Sequence, residues 1–150
     1  MANSKNVIKE LTKAYWAEIE TTMNYIAQSI NLDGVRAEEI KGSLAADVAA
    51  ELMHAQALAK RIKELGGQIP GSADFNYSQK LLQPVDDTTD IITVIKGVID
   101  AEKSAINQYK KIIKLCEGDD YVTQDLCVRT LADEEAHRTQ FEGFLKEFKK

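Results

Sequence analysis

The sequence predicts an all-α protein, an antiparallel four-helix bundle with one long crossover, formed by residues 1–150 as a single domain. Three observations predict it. Both prolines, Pro70 and Pro84, fall between Gly66 and Asp87, leaving a long proline-free block on either side. Each block is broken once more by turn chemistry, Asp33-Gly34 in the first and Gly118-Asp119-Asp120 in the second. The four segments so delimited, about 4–32, 36–65, 88–116 and 120–149, each carry apolar residues at helical spacing.

The first segment has the stripe Val7, Ile8, Leu11, Tyr15, Glu18, Thr22, Tyr25 and Ile26, with Ser4 or Asn6 expected to cap its start. In the second the stripe runs Ile40, Leu44, Val48, Glu51, Ala55, Leu58 and Ile62 and ends on Gly66-Gly67, a C-cap signal. The third opens on Asp87-Thr88-Thr89-Asp90, all residues suited to an N-terminus, and continues through Ile91, Val94, Ile95, Val98, Glu102, Ala105, Tyr109 and Ile112. The fourth carries Leu126, Leu131, Glu134, Phe141, Leu145 and Phe148. Gly42, Gly97 and Gly143 sit inside these helices, each costing about 1 kcal/mol against alanine. Segments of roughly 28 residues make helices of about 42 Å. Joined by short first and last connections, they pack antiparallel in pairs, and the stretch between Gly66 and Asp87 is long enough to cross from one end of the bundle to the other.

Composition narrows the function. Hydrophobic residues make up 44% and charged residues 29%, an ordinary balance for a globular chain. No apolar run approaches the roughly 18 residues of a membrane span, and the first residues lack the pattern of a secretory signal, so the cytoplasm is the expected location. With 19 Lys+Arg against 24 Asp+Glu the formal charge is -5, which disfavours a nucleic-acid-coating surface and suits the attraction of cations. Cys116 and Cys127 are too few for a disulfide scaffold and lack C-x-x-C spacing.

Glu18, Glu51, Glu102 and Glu134 break the apolar stripes, one per helix and each near the midpoint of its segment. Charged side chains are rarely buried unless paired or bound to a metal. Four inward carboxylates at one level would repel one another without a cation. The only two histidines, His54 and His137, each follow a glutamate by three residues, giving Glu51-Leu52-Met53-His54 and Glu134-Glu135-Ala136-His137. That spacing puts both side chains on one helical face, able to grip one metal ion.

One glutamate from each of two helices plus Glu-x-x-His from each of the other two resembles the ferritin-like di-iron carboxylate pattern. The likeness is nearest to bacterioferritin and covers almost the whole chain, including the interval from Glu18 to Glu51 and the run DYVTQD before LADEEAH. The resemblance implies that Glu18 and Glu102 are terminal ligands, that Glu51 and Glu134 bridge, and that His54 and His137 each bind one iron. It also matches Tyr25 to the family's tyrosine near the metal site. Carboxylate and imidazole ligation suits iron or manganese. The implied activity is ferroxidase: a di-iron centre inside the bundle takes two electrons from two Fe2+ and passes them to dioxygen or peroxide, with iron storage and detoxification as its purpose.

The departures from bacterioferritin bear on cofactor and assembly. Leu52 stands where the family's haem methionine would follow the second-helix glutamate. Met53, one residue later, and Met23 are the remaining candidates for a haem thioether, or else fill gaps in core or interface. The sequence given stops at Lys150, 13 positions after His137, without the fifth helix of 24-subunit ferritins. That length is similar to bacterioferritin-like mini-ferritins and implies a homo-oligomeric shell of about twelve chains. Some of these carry a cysteine pair near the irons; buried reduced thiols are the other reading of Cys116 and Cys127. The rival activities are a rubrerythrin-like peroxidase or manganese catalase, which lacks its C-x-x-C module here, and a DNA-protecting mini-ferritin. The latter is disfavoured because the first ten residues offer only Lys5 and Lys9, although Lys149-Lys150 is expected to be exposed.

Overall fold

The structure, a computed structural model, describes residues 3–148. Its helices are α1 (Ser4–Asn31), α2 (Glu38–Glu64), α3 (Ile91–Leu115) and α4 (Tyr121–Phe148), with short 3-10 turns at Val35–Ala37, Ser72–Asp74 and Lys80–Leu82. There is no strand among the described residues. The short connections fold α1 back along α2 and α3 back along α4, and these two pairs make the most extensive packing. A long crossover joins the hairpins, so the bundle is antiparallel with one crossing connection, as its sequence predicts. No helix among the described residues is long and apolar enough to cross a membrane.

Helix ends follow local chemistry, with small corrections. Helix α1 begins at Ser4 itself, so the capping position falls to Asn3 rather than Ser4 or Asn6. Asn3 forms no side-chain cap; its amide donates to the Leu115 carbonyl at 3.1 Å and ties the start of α1 to the end of α3. At the end of α2, Gly66 adopts φ 89°, Gly66 N–H bonds Lys63 O at 3.0 Å and Gly67 N–H bonds Ile62 O at 2.9 Å. This is the Schellman arrangement, which needs a residue without a Cβ penalty at positive φ. Helix α3 starts at Ile91, later than expected: the Asp87 carboxylate accepts from Thr89 N and holds a turn, and Asp90 caps by accepting from Thr93 N. Just before α4, Asp120 accepts from Thr123 N at 3.0 Å and from Arg61 Nη2 of α2 at 2.9 Å. Lys149 and Lys150 lie outside the described residues.

Two apolar clusters fill the bundle. One gathers Tyr25, Leu32, Ile40, Leu44, Ile95 and Phe141; the other gathers Val7, Leu11, Leu58, Ile62, Tyr109 and Ile112. The residue order along each helix puts the four glutamates between the clusters. Two parts of the expected stripes are displaced. Ile26 is 44% exposed rather than inward. On α4 the buried seam is Thr123, Cys127, Thr130, Glu134 and Phe141, while Leu126 and Leu131 are only partly buried. The threonines can face inward because their hydroxyls are satisfied locally, Thr130 Oγ1 on Leu126 O and Thr123 Oγ1 on Asp120 Oδ2.

The crossover is stitched to the bundle. Glu20 of α1, 1% exposed, accepts from Ser78 N, Ser78 Oγ and Gln79 N. Further along α1, Gln28 donates to Gln83 O at 2.9 Å. Gly97 explains its own presence: a Cβ there would stand 2.3 Å from Leu81 O, so only glycine lets the crossover lie on α3. Nothing in the structure explains Gly42 or Gly143, around which a Cβ would find open space.

Candidate metal centre

Helical spacing brings the six sequence-selected side chains to one level. Glu51 and His54 project from α2, Glu134 and His137 from α4, Glu18 from α1 and Glu102 from α3. All are buried or nearly so; His137, the least covered, has 15% of its side chain exposed. They form two overlapping sets of donor atoms, Glu18, Glu51, His54 and Glu134 in one and Glu51, Glu102, Glu134 and His137 in the other, each set within 4.8 Å. Glu51 and Glu134 belong to both. His54 Nδ1 lies 3.0 Å from Glu134 Oε1 and 3.6 Å from carboxylate oxygens of Glu18 and Glu51. His137 Nδ1 lies 3.2 Å from Glu51 Oε1 and 3.8 Å from Glu102 Oε1.

The hydrogen bonds leave a pattern of vacant donor atoms. Glu18 Oε2, Glu51 Oε1, His54 Nδ1, Glu102 Oε2, Glu134 Oε1 and His137 Nδ1 are buried and none has an aligned hydrogen bond. Buried polar atoms are otherwise almost always satisfied, so one unpartnered atom on each of six converging side chains fits a bound cation. The remaining atoms are held from outside. Tyr109 Oη donates to Glu18 Oε1 at 2.6 Å and Tyr25 Oη donates to Glu102 Oε1 at 2.5 Å, so each outer glutamate turns a single free oxygen inward. His54 Nε2 stands 2.9 Å from Asp133 Oδ2, and His137 Nε2 stands 3.4 Å from Asp47 Oδ1. A carboxylate behind each imidazole fixes the tautomer that offers Nδ1 to the centre and raises its basicity.

Protons stand in for cations in this electrostatic setting. Burial and the charge of Glu51 hold Glu18 well above the usual carboxylate range. Burial also opposes ionisation of Glu51, but Glu18's proton and the two imidazoles outweigh it and Glu51 stays below that range. Burial pushes Glu134 up to about 12, helped by its contact with Glu102. His137 rises to about 10 because the nearby carboxylates of Glu102 and Glu51 and the charge of Asp47 overcome its burial; His54 rises for the same kind of reason, against Glu134, Glu18 and Glu51. Tyr25 and Tyr109 are held neutral by burial and the carboxylates around them. Divalent ions entering the cluster would displace these protons.

Tyr25 touches the cluster as expected; Tyr109, Asp47 and Asp133 were not singled out from sequence. Tyr109 had a legible signal. It follows Glu102 by seven residues as Tyr25 follows Glu18, and glutamates, histidines and tyrosines of the two halves correspond at offsets of 83 or 84 positions. Asp133 had none, since it is one residue before Glu134 and mostly exposed. Met53 is 67% and Met23 46% exposed, so neither fills a gap in the core. Cys116 and Cys127 are free and buried, their thiols pushed up to about 11 and about 12 by burial, which keeps them protonated.

Comparison with known proteins agrees with this geometry. The ferritin-like domain family matches residues 8–150. The chain is 30% identical over 138 residues to the bacterioferritin of Desulfovibrio desulfuricans, covering 91% of this chain and 73% of the relative. The crystal structure of that bacterioferritin superposes with a TM-score of 0.83 over 99% of this chain and 82% of that one, at 27% identity. A DNA protection during starvation protein of Pyrococcus furiosus is 30% identical over 145 residues, 94% of this chain and 77% of the relative. In fold, the chain is also similar to a dodecameric thioferritin, the bacterioferritin-related protein of Bacteroides fragilis, with a TM-score of 0.85 at 23% identity over 97% of this chain and 87% of that one. With four helices in the ferritin arrangement and a carboxylate–histidine cluster at their middle, the chain belongs to the ferritin-like family.

Proposed function

We propose that this chain is a ferroxidase that oxidises Fe2+ inside the bundle and stores the product. The observation that carries the reading is the set of six unpartnered donor atoms, arranged as two four-residue sets that share Glu51 and Glu134. Two shared carboxylates between two imidazoles suit a pair of iron or manganese ions. In the reaction two Fe2+ become two Fe3+; the two electrons and two protons convert dioxygen to hydrogen peroxide, or peroxide to two waters. Within the protein, Glu51 and Glu134 would be shared by the two ions, Glu18 and Glu102 would hold one ion each from the outer helices, and His54 and His137 would each serve one ion. Tyr25 and Tyr109 aim the outer glutamates, and Asp47 and Asp133 aim the imidazoles.

The bacterioferritin of D. desulfuricans, whose structures describe a diiron site in different catalytic states, supports the oxidative chemistry. The dodecameric B. fragilis neighbour supports a closed shell of about twelve chains, the assembly that storage requires. A haem held between two copies by Met53 or Met23 belongs to the same reading, since both thioethers are exposed.

The test is stopped-flow oxidation of Fe2+ with native mass and metal analysis on protein purified without added metal. Wild type oxidises Fe2+ rapidly and binds two ions per chain; Glu51→Ala and Glu134→Ala each lose paired binding and rapid oxidation together. Wild-type rates in either variant defeat the assignment of the site. A monomer or dimer in light scattering defeats storage and leaves the oxidation standing.

A further inference from the structure

The lysines of this acidic chain are unevenly spread. Residues 4–16 of α1 carry Lys5, Lys9 and Lys13, and residues 103–115 of α3 carry Lys103, Lys110, Lys111 and Lys114, against the single carboxylate of Glu10. Seven lysines and one glutamate give this strip a formal charge of +6 in a chain whose total is -5. All seven lysines are exposed. Spacings of four put Lys5, Lys9 and Lys13 in one row along α1, and Lys110 and Lys114 in one row along α3. Like charges so placed repel, so neither row stabilises its own helix. The helix dipole accounts for Lys114 in the last turn of α3. It does not account for Lys5, which lies in the first turn of α1, where no residue is acidic and a carboxylate would be favoured.

The two rows meet at a groove. Asn6, Lys9 and Glu10 of α1 and Lys111, Lys114 and Leu115 of α3 line an open cavity of about 440 Å³. Glu10 is buried beneath it and its charge is already engaged. Its Oε1 lies 3.2 Å from both Lys13 Nζ and Lys111 Nζ, and its Oε2 accepts from the Gln108 amide at 2.8 Å. Lys9 and Lys114 on the walls, and Lys5 and Lys110 one turn from them, have no anionic partner among the described residues. Ammonium groups are point charges that take an oxyanion without a fixed fork geometry. No aromatic side chain lines the groove to stack a base, and no arginine lines it to pair with a base edge. The rest of the chain is negative and repels a polyanion broad enough to overhang the strip. A narrow chain of phosphate groups without bases is the ligand that matches.

We propose that this groove, between the start of α1 and the end of α3, is a binding site for an inorganic oligophosphate. Lys9 and Lys114 grip the chain, Asn6 adds a neutral donor, and Lys5 and Lys110 extend the track. The site is separate from the metal centre: Glu18 and Glu102 lie nine and twelve positions from Lys9 and Lys114 along the same helices. The experiment is calorimetric titration of the metal-free full chain with sodium tripolyphosphate at low ionic strength. Wild type binds one per chain, and added salt weakens the binding. Lys9→Gln and Lys114→Gln, both exposed positions, each weaken it by about fivefold. Lys96→Gln, an exposed lysine of α3 outside the strip, binds as wild type does. Orthophosphate, which is too short to span both walls, binds more weakly than tripolyphosphate. Wild type that takes up no tripolyphosphate, or unchanged affinity in Lys9→Gln and Lys114→Gln, overturns the site. An equal loss in Lys96→Gln overturns it in favour of diffuse attraction. Orthophosphate of equal affinity, or an oligothymidylate of the same formal charge that binds more tightly, overturns the choice of ligand.

Discussion

At one end of the bundle Leu11, Leu58, Ile62 and Ile112 meet between the helices, and at the other Leu32, Ile40, Leu44 and Ile95 do so, all but free of solvent. Midway between them the same four helices turn glutamates and histidines inward, with six donor atoms left unpartnered. The ends gain stability from burial, about 25 cal/mol per Å² of apolar surface removed from water. The middle forfeits it, because buried carboxylates must hold protons or meet a cation. Packing at both ends brings the helices together around the middle. A functional band between two stabilising layers is held in place by the packing on either side of it.

The comparison is sharpened most by Leu58→Ala, which empties a fully buried position at one end. It costs about 2–5 kcal/mol, read as a lowered denaturation midpoint of the metal-free protein. Next is Gly97→Ala. The Leu81 carbonyl blocks the new methyl and overpacking costs about 1–3 kcal/mol, against a helix-propensity gain of about 1. Its melting temperature falls, whereas Gly42→Ala, with open space around it, raises the same quantity.

The pH dependence sets Glu10 against the groups of the centre whose values are raised. His137 and Glu134 are raised above their unfolded values, so the folded centre binds extra protons, and metal-free stability falls as pH rises from 6.5 toward 10. Saturating divalent metal removes that slope. Near the Val7–Leu11 end, Glu10 runs the other way. It is lowered to about 2, opposed by its burial but held ionised by Gln108, Lys111 and Lys13, so its contribution is present above 4.5 and lost as pH falls toward 2. Glu10→Gln makes the acid limb shallower and leaves the alkaline one alone. A thermal-melt series at stepped pH checks both. The smallest effect is expected from Glu18→Gln without metal. Removing a crowded carboxylate leaves the metal-free bundle as stable as wild type or slightly more so, yet lowers the stabilisation by Fe2+. A large loss in the metal-free protein would show that the middle supports the fold after all.

Much of this contrast was legible from residue spacing. Both prolines, the turn residues and the 3.6-residue stripes delimited four helices to within a few residues, and the glutamates were visible because they interrupt those stripes. The α4 seam was misread by one position because hydropathy ranks Leu126 and Leu131 above the threonines, while local hydroxyl bonds make Thr123 and Thr130 the better inward residues. Asp133 was invisible for a different reason: its partner, His54, is on another helix, and no spacing rule links them. Gly97 looked like a local weakness and is instead where two distant segments touch.

The correspondence between the two halves has one more consequence. Glu18, Glu51 and His54 come from the α1–α2 hairpin, but their set is completed by Glu134 from the other; Glu102, Glu134 and His137 likewise need Glu51. The tyrosine of each hairpin grips the outer glutamate of its counterpart. The molecule is therefore a tethered dimer of hairpins in which neither partner owns a whole coordination sphere. The crossover converts their docking into a unimolecular step. Cut there, the halves would obey mass action, and cation concentration would act as the thermodynamic glue between them.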